Sequence, residues 1–94
     1  MKTELIDGIA EIKRMGSACI GNMPHETPYI VFEVCCNTCT LPFGEYKWHS
    51  ENIYKIAYRL DKLTEKHLIE GAFFNIEMRV RGNKVWQMIK MEYR

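Results

Sequence analysis

The sequence predicts a mainly β domain with one helix, in the order strand, strand, strand, helix, strand, strand. Three observations predict it. Residues 72–93 alternate apolar and polar on either side of the turn Arg81-Gly82-Asn83-Lys84, the pattern of a hairpin. Residues 5–15 and 29–36 are rich in β-branched and aromatic side chains at strand period. Ile53, Ile56, Ala57, Leu60 and Leu63 recur instead at three- and four-residue spacing, the period of a helix. With 94 residues, 47% of them hydrophobic and 27% charged, the chain is expected to form a single folded domain over 1–94.

The elements follow in order. In residues 5–15, Ile6, Gly8, Ala10 and Ile12 share one face and Asp7, Glu11 and Lys13 the other, apart from Ile9, which predicts a first strand. Gly8 within it permits a bend or a close backbone approach. Residues 16–28 hold Gly16, Gly21, Pro24 and Pro28 without periodicity and read as a long loop, of a kind that often closes over ligands. Residues 29–36 form the second strand, with Ile30, Phe32, Val34 and Cys36 opposite Tyr29, Val31, Glu33 and Cys35. Pro42 and Gly44 interrupt residues 38–48, so a third strand is confined to Glu45-Tyr46-Lys47-Trp48. Ser50 offers a helix N-cap with Glu51 in the first turn, and Lys55, Arg59 and Lys62 line a solvated face. Residues 64–71 lead back to the hairpin. No repeat, low-complexity tract or linker divides the chain.

Counting back from a two-residue Gly82-Asn83 loop sets the expected cross-strand pairs. One face carries Val80 opposite Val85, Met78 opposite Gln87, Ile76 opposite Ile89, Phe74 opposite Met91 and Ala72 opposite Tyr93, a surface for the core. The other pairs Arg79 with Trp86, Glu77 with Met88, Asn75 with Lys90 and Phe73 with Glu92. Cations beside flat apolar side chains suggest a surface meant to be covered.

Charge sharpens this reading. Residues 79–94 hold five cations against Glu92, a net +4, while the rest of the chain holds eight cations and eleven acids, a net −3. A basic hairpin on a mildly acidic body suits a local polyanion site, and equally suits an edge strand protected by charge. No run of apolar residues is long enough to cross a membrane, and the N-terminus lacks the apolar stretch of a signal peptide, so a cytoplasmic protein with no membrane partner is expected. Cysteines in that setting are expected to be reduced. Cys36 and Cys39 have zinc-knuckle spacing, which Cys19 with His25 or His49 would complete; a second closely spaced pair is missing, and a small core role for the strand cysteines competes.

The order of elements, with the helix between the third and fourth strands, is that of the five-stranded OB barrel. Residues 46–48, 53–60, 68–71, 74–81 and Val85-Trp86-Gln87 together resemble bacterial and phage single-stranded DNA-binding proteins of that fold. In that family a strand ending in aromatics leads to a helix, then to a glycine-containing corner, then to a strand with arginine near its tip and tryptophan just past the turn. The resemblance covers roughly the C-terminal half of the chain. The cysteine cluster, the long 16–28 connection and the lack of an acidic Gly/Pro-rich tail depart from the pattern. The resemblance implies a bare DNA-binding core, or a small phage- or plasmid-encoded version, serving a process such as DNA replication.

A single-strand binder needs aromatic platforms and cations interleaved along one groove. Trp86, Phe73, Tyr46 and Trp48 are the stacking candidates, and Arg79, Arg81, Lys84, Lys90 and Lys13 the phosphate candidates. Trp48 also reads as a core plug under the helix, Arg79 with Trp86 as a cross-strand cation–π pair, and Tyr29 and Met88 as packing or oligomer-contact residues. Catalysis is not expected: His25, His49 and His67 are scattered, and no nucleophile motif, phosphate loop or carboxylate pair stands out. No cofactor is expected. The rival reading is a protein-interaction or homo-oligomer module using the same hairpin face, since interfaces favour the same aromatic, Met and Arg side chains. A zinc-stabilised β domain on Cys19, Cys36, Cys39 and His49 is a third.

Overall fold

Closure of the sheet depends on one long strand. β1 (Glu4–Ala18) pairs antiparallel with β4 (Phe73–Arg81) from Glu4↔Val80 to Glu11↔Phe73, and with β2 (Thr27–Cys36) from Gly8↔Cys36 to Ala18↔Thr27. β3 (Gly44–His49) runs antiparallel to β2 and meets β5 (Lys84–Tyr93) in parallel at Lys47↔Lys84, and β5 returns antiparallel to β4. The result is a closed sheet in the order β1-β2-β3-β5-β4, with α1 (Ile53–Asp61) between β3 and β4 in the chain. The structure, a computed structural model, describes residues 2–19, 21–22, 24–36 and 44–94.

A strand paired on both sides must bend. Gly8 is buried where β1 faces Cys36 and Ile76 at once, and Lys13 is the extra residue of a bulge between Ile12 and Arg14. Bulges add local twist, which is what turns an open sheet toward closure. β1 also runs on through residues 16–18, and β2 starts at Thr27, so the expected 16–28 loop is shorter than its composition suggests. The cause lies at Gly16↔Tyr29: a Cβ on Gly16 would meet Tyr29 Oη at 2.9 Å and Cζ at 3.1 Å, so the phenol ring lies over bare strand backbone and supplies the packing that glycine lacks. The third strand is present and extends to His49, with the Ser50 N–H donating to the Pro28 carbonyl at 3.2 Å.

The hairpin keeps its turn and changes its register. Gly82 has φ +62 and Val80 opposes Val85 as expected, but β5 carries two bulges. Arg79 pairs with Gln87, Met78 with Met88, Glu77 with Lys90, Ile76 with Met91, Asn75 with Glu92 and Phe74 with Tyr93. Strict alternation would bury Gln87, and past the first bulge it would bury Lys90. Each bulge turns a polar side chain outward and lets the methionine after it point in: Met88 is 6% and Met91 0% exposed.

The core joins Ile6, Ala10 and Ile12 of β1 to Ile30 and Phe32 of β2, Phe74, Ile76 and Met78 of β4, and the two β5 methionines. The helix closes one end with Ile53 and Ala57, helped by Leu63 and Leu68 after it. Its start differs from expectation: Asn52 holds the N-cap position, and Ser50 Oγ accepts the Asn52 N–H at 3.0 Å. Its end is a left-handed Lys62, φ 52, whose N–H donates to the Tyr58 carbonyl while the Leu63 N–H reaches back to Ala57.

Candidate nucleic-acid interface

One transverse row of the sheet crosses all five strands. Arg14 pairs with Val31, Val31 with Lys47, Lys47 with Lys84, and Lys84 with Arg81. Four cations thus flank one valine in neighbouring register positions of β1, β2, β3, β5 and β4. Val31 faces away from the core residues Ile30 and Phe32, yet is only 5% exposed. It shares a recess of about 150 Å³ with Arg14, Glu45, Lys47 and Asn83, where the long side chains cover it with their apolar stems.

The neighbouring row is aromatic. Gly16 pairs with Tyr29 and Tyr29 with His49. The Lys47 ammonium sits 4.4 Å from the Tyr29 ring centre, and the His49 ring stands edge-on to Tyr29 at 5.9 Å and 74°. His49 Nε2 is 3.1 Å from the Thr27 carbonyl and 3.3 Å from that of Ala18. Both partners accept, so Nε2 carries the proton and clamps the end of β1 to the start of β2. Between Lys47, His49, Lys84, Val85, Cys19 and Gly21 opens a cleft of about 390 Å³. Among the described residues Lys47, Arg81 and Lys84 have no carboxylate within ion-pair distance, whereas Arg14 is held by Glu45 at 3.3 Å.

The expected site residues divide. Arg81 and Lys84 join the cationic row, and Trp86, 60% exposed, lies under Arg81, whose guanidinium carbon is 5.5 Å from the indole centre. The cation over Trp86 is therefore Arg81, and Arg79, exposed beside Gln87 and Leu5, is displaced from that position by the first β5 bulge. Lys90 pairs with Glu92 at 3.2 Å and opposes Glu77, and Lys13 lies 3.9 Å from Glu11. Phe73 is half exposed in a recess with Glu11 and Glu33, an acidic setting that repels phosphate.

Two aromatic candidates point inward. Trp48, 3% exposed, stacks on Phe32 at 6.3 Å and fills the core, because it is in phase with the buried residues of the sheet; its reading as a base platform is corrected. Tyr46 pairs with Phe32 and is half-buried against the core. Burial, and after it the Glu4 carboxylate, raise the Tyr46 hydroxyl pKa above its ordinary value of 10.0. The sequence reading left Lys47, Arg14 and Val31 out of the candidate site and took Tyr29 for a packing or oligomer-contact residue, although strict alternation through Tyr46-Lys47-Trp48 puts Lys47 alone on the outer face.

For the metal reading, Cys39 and the Cys36 side chain lie outside the described residues, Cys19 is exposed, and His49 has Nε2 engaged with carbonyls. Among the described residues no group of three His, Cys, Asp or Glu stands close enough to hold a metal ion, and no helix is long and apolar enough to cross a membrane. No family model, curated protein or solved structure matches the chain.

Proposed function

We propose that the chain binds single-stranded nucleic acid, DNA in the first instance, without strong sequence preference, on the end of the outer β1, β2 and β3 face that carries Arg14, Tyr29 and Lys47, away from Glu11 and Glu33, and on the adjoining hairpin tip. The observation that carries this reading is the cationic row Arg14, Lys47, Lys84 and Arg81 beside the Tyr29 platform. A single strand offers phosphates at regular spacing and unstacked bases, and a row of cations next to an aromatic ring serves both. The closed strand order, with its helix between β3 and β4, supports an OB-like barrel, a fold whose β2–β3 face and β1–β2 and β4–β5 loops take oligonucleotides. Beside the cations and rings of this row stand the Asn83 amide and Glu45, whose carboxylate is tied to Arg14, and the next register row is acidic, Glu11, Glu33 and Glu45. The row itself thus offers charge and stacking surface more than a set of groups aimed at base edges.

The test is fluorescence anisotropy of labelled oligo-dT and oligo-U at low and high salt with the wild type and the Lys47→Gln/Lys84→Gln double variant. Neutralising Z phosphates gives a log–log salt slope of about −0.7Z for single strands, so the double variant is expected to lose about 1.4 from the slope. Absence of binding at low salt overturns the proposal.

A second reading rests on a different surface. Leu5 is 51% and Phe73 47% exposed on the outer face of β1 and β4, which suits a protein or homo-oligomer contact. Such a contact would respond little to salt, and Leu5→Glu would dissolve it in sedimentation.

A further inference from the structure

We infer that the recess where the paired ends of β1 and β2 meet the first turn of α1 is a pocket for one planar heteroaromatic base. The inference rests on the single-strand reading for the source of that base within a chain, but its chemistry stands on the pocket itself. The recess holds about 350 Å³, near the lower end of the range of about 300–1,000 Å³ usual for small-molecule sites. Its floor includes Ile30 and Ile53, each 1% exposed, and its rim carries two phenol rings, Tyr29 and Tyr54, the latter 41% exposed. Met15 and Pro28 complete the apolar lining, and no Lys, Arg, Asp or Glu is part of it.

That neutrality separates it from its neighbour. The cleft of Lys47, His49 and Lys84 is lined by cations and suits phosphate, whereas this one offers apolar floor and aromatic rim and suits an uncharged flat group. Tyr29 joins the two, since it lines the neutral recess and its ring lies 4.4 Å from the Lys47 ammonium. A neutral aromatic recess beside a cationic one matches the two halves of a nucleotide. The one polar side chain of the lining besides the phenols is Ser17, whose hydroxyl donates to Glu26 Oε2 at 3.1 Å and is an uncharged partner for a base edge.

Gly16 is the positioning residue. The Tyr29 phenol lies against its Cα, and a methyl there would stand 2.9 Å from the hydroxyl oxygen. Gly16→Ala therefore moves the ring without deleting it.

The experiment places 2-aminopurine, whose emission is quenched by stacking, at successive positions of an oligo-dT strand, and separately offers the free 2-aminopurine ribonucleotide. Wild type, Tyr54→Ala, Gly16→Ala and Ser17→Leu, which fills the recess from its β1 wall, are compared, with strand affinity read independently from a terminal dye. The expected result is one or two positions of extra quenching in the wild type that all three variants relieve, while overall strand affinity falls by no more than about 150-fold, the upper end of the contribution of one stacked base. Normal strand binding with identical emission in wild type and Tyr54→Ala overturns the inference and leaves the groove intact. Failure of the strand to bind at low salt removes the single-strand reading, and the free nucleotide then decides: saturable, Tyr54-dependent quenching upholds a pocket for free nucleotides, and no quenching overturns the pocket as well.

Discussion

The ammonium of Lys47 lies 4.4 Å from the centre of the Tyr29 ring, so the proposed Tyr29 platform is already covered by a cation. A base arriving on Tyr29 must displace Lys47, and the displaced ammonium has an anionic partner in the strand's own phosphate. Tyr29→Ala is expected to weaken oligo-dT binding by about 1–3 kcal/mol. Lys47→Gln is expected to lower the salt slope by about 0.7. Tyr29→Phe, which keeps the ring, retains binding. Anisotropy titrations at several salt concentrations check all three, and a Tyr29→Ala protein that binds like the wild type removes the platform.

The two tryptophans make opposite predictions. Trp86 is 60% exposed and Trp48 3% exposed. Trp86→Ala is expected to change stability by no more than about 0.5 kcal/mol, because the ring is mostly in solvent and its cation–π contact is with the exposed Arg81. Trp48→Ala opens a large core cavity beside Phe32 and is expected to cost about 3–5 kcal/mol. Urea unfolding of the two variants settles this, and equal midpoints would contradict the placement of Trp48.

Much of the architecture is legible in the residues, and what escapes has physical causes. The element order could be read because strand alternation and helix period are strong signals, as in Ile53, Ile56, Ala57 and Leu60. The third strand needed only its in-phase Tyr46 and Trp48. The β5 register could not be counted from the turn, since a bulge adds a residue without changing composition; the hint was that strict alternation would bury Gln87 or Lys90. The site was half legible. Arg81 and Lys84 stand out as a basic tip, but their partners Arg14 and Lys47 are distant in sequence and reach the same row only through β1–β2–β3 pairing.

Lys62 ends α1 at φ 52, in a region that costs a side chain carrying a Cβ about 1–2 kcal/mol. Glycine adopts it freely and loses roughly 0.5–1 kcal/mol in chain entropy on folding. Lys62→Gly is therefore expected to raise stability by about 0.5–1 kcal/mol without touching the proposed nucleic-acid face. Thermal melting checks it, and a lower melting temperature would show that the lysine side chain contributes more than its backbone costs.

Tyr46 couples stability to alkali. In the unfolded chain its phenol ionises near 10.0, while burial and Glu4 hold the proton on longer in the fold. A group whose folded pKa is raised gives its full contribution below the unfolded value, and that contribution is lost as pH rises past it. Stability is expected to decline above about pH 10, and Tyr46→Phe to flatten that part of the curve. Urea midpoints measured across the alkaline range give the answer; superimposable wild-type and variant curves would remove Tyr46 from the account.

Met88 and Gln87 test the bulges directly. Without them, counting from Gly82-Asn83 places Gln87 against Met78 in the core and Met88 outside; with them, Met88 is buried against Met78 and Gln87 is exposed beside Arg79. The two registers reverse the sensitivity of adjacent residues. In the bulged arrangement Met88→Ala leaves a core cavity and costs about 2–5 kcal/mol, while Gln87→Ala stays within about 0.5 kcal/mol of the wild type. In the unbulged arrangement Gln87→Ala would be the change felt in the core, and Met88→Ala would be nearly silent. The result also bears on the site, because the first bulge is what separates Trp86 from Arg79 and leaves it to Arg81, at the hairpin tip beside Lys84 and Lys47. A sensitive Gln87 would move Trp86 back beside Arg79 and away from the Lys47–Lys84–Arg81 row.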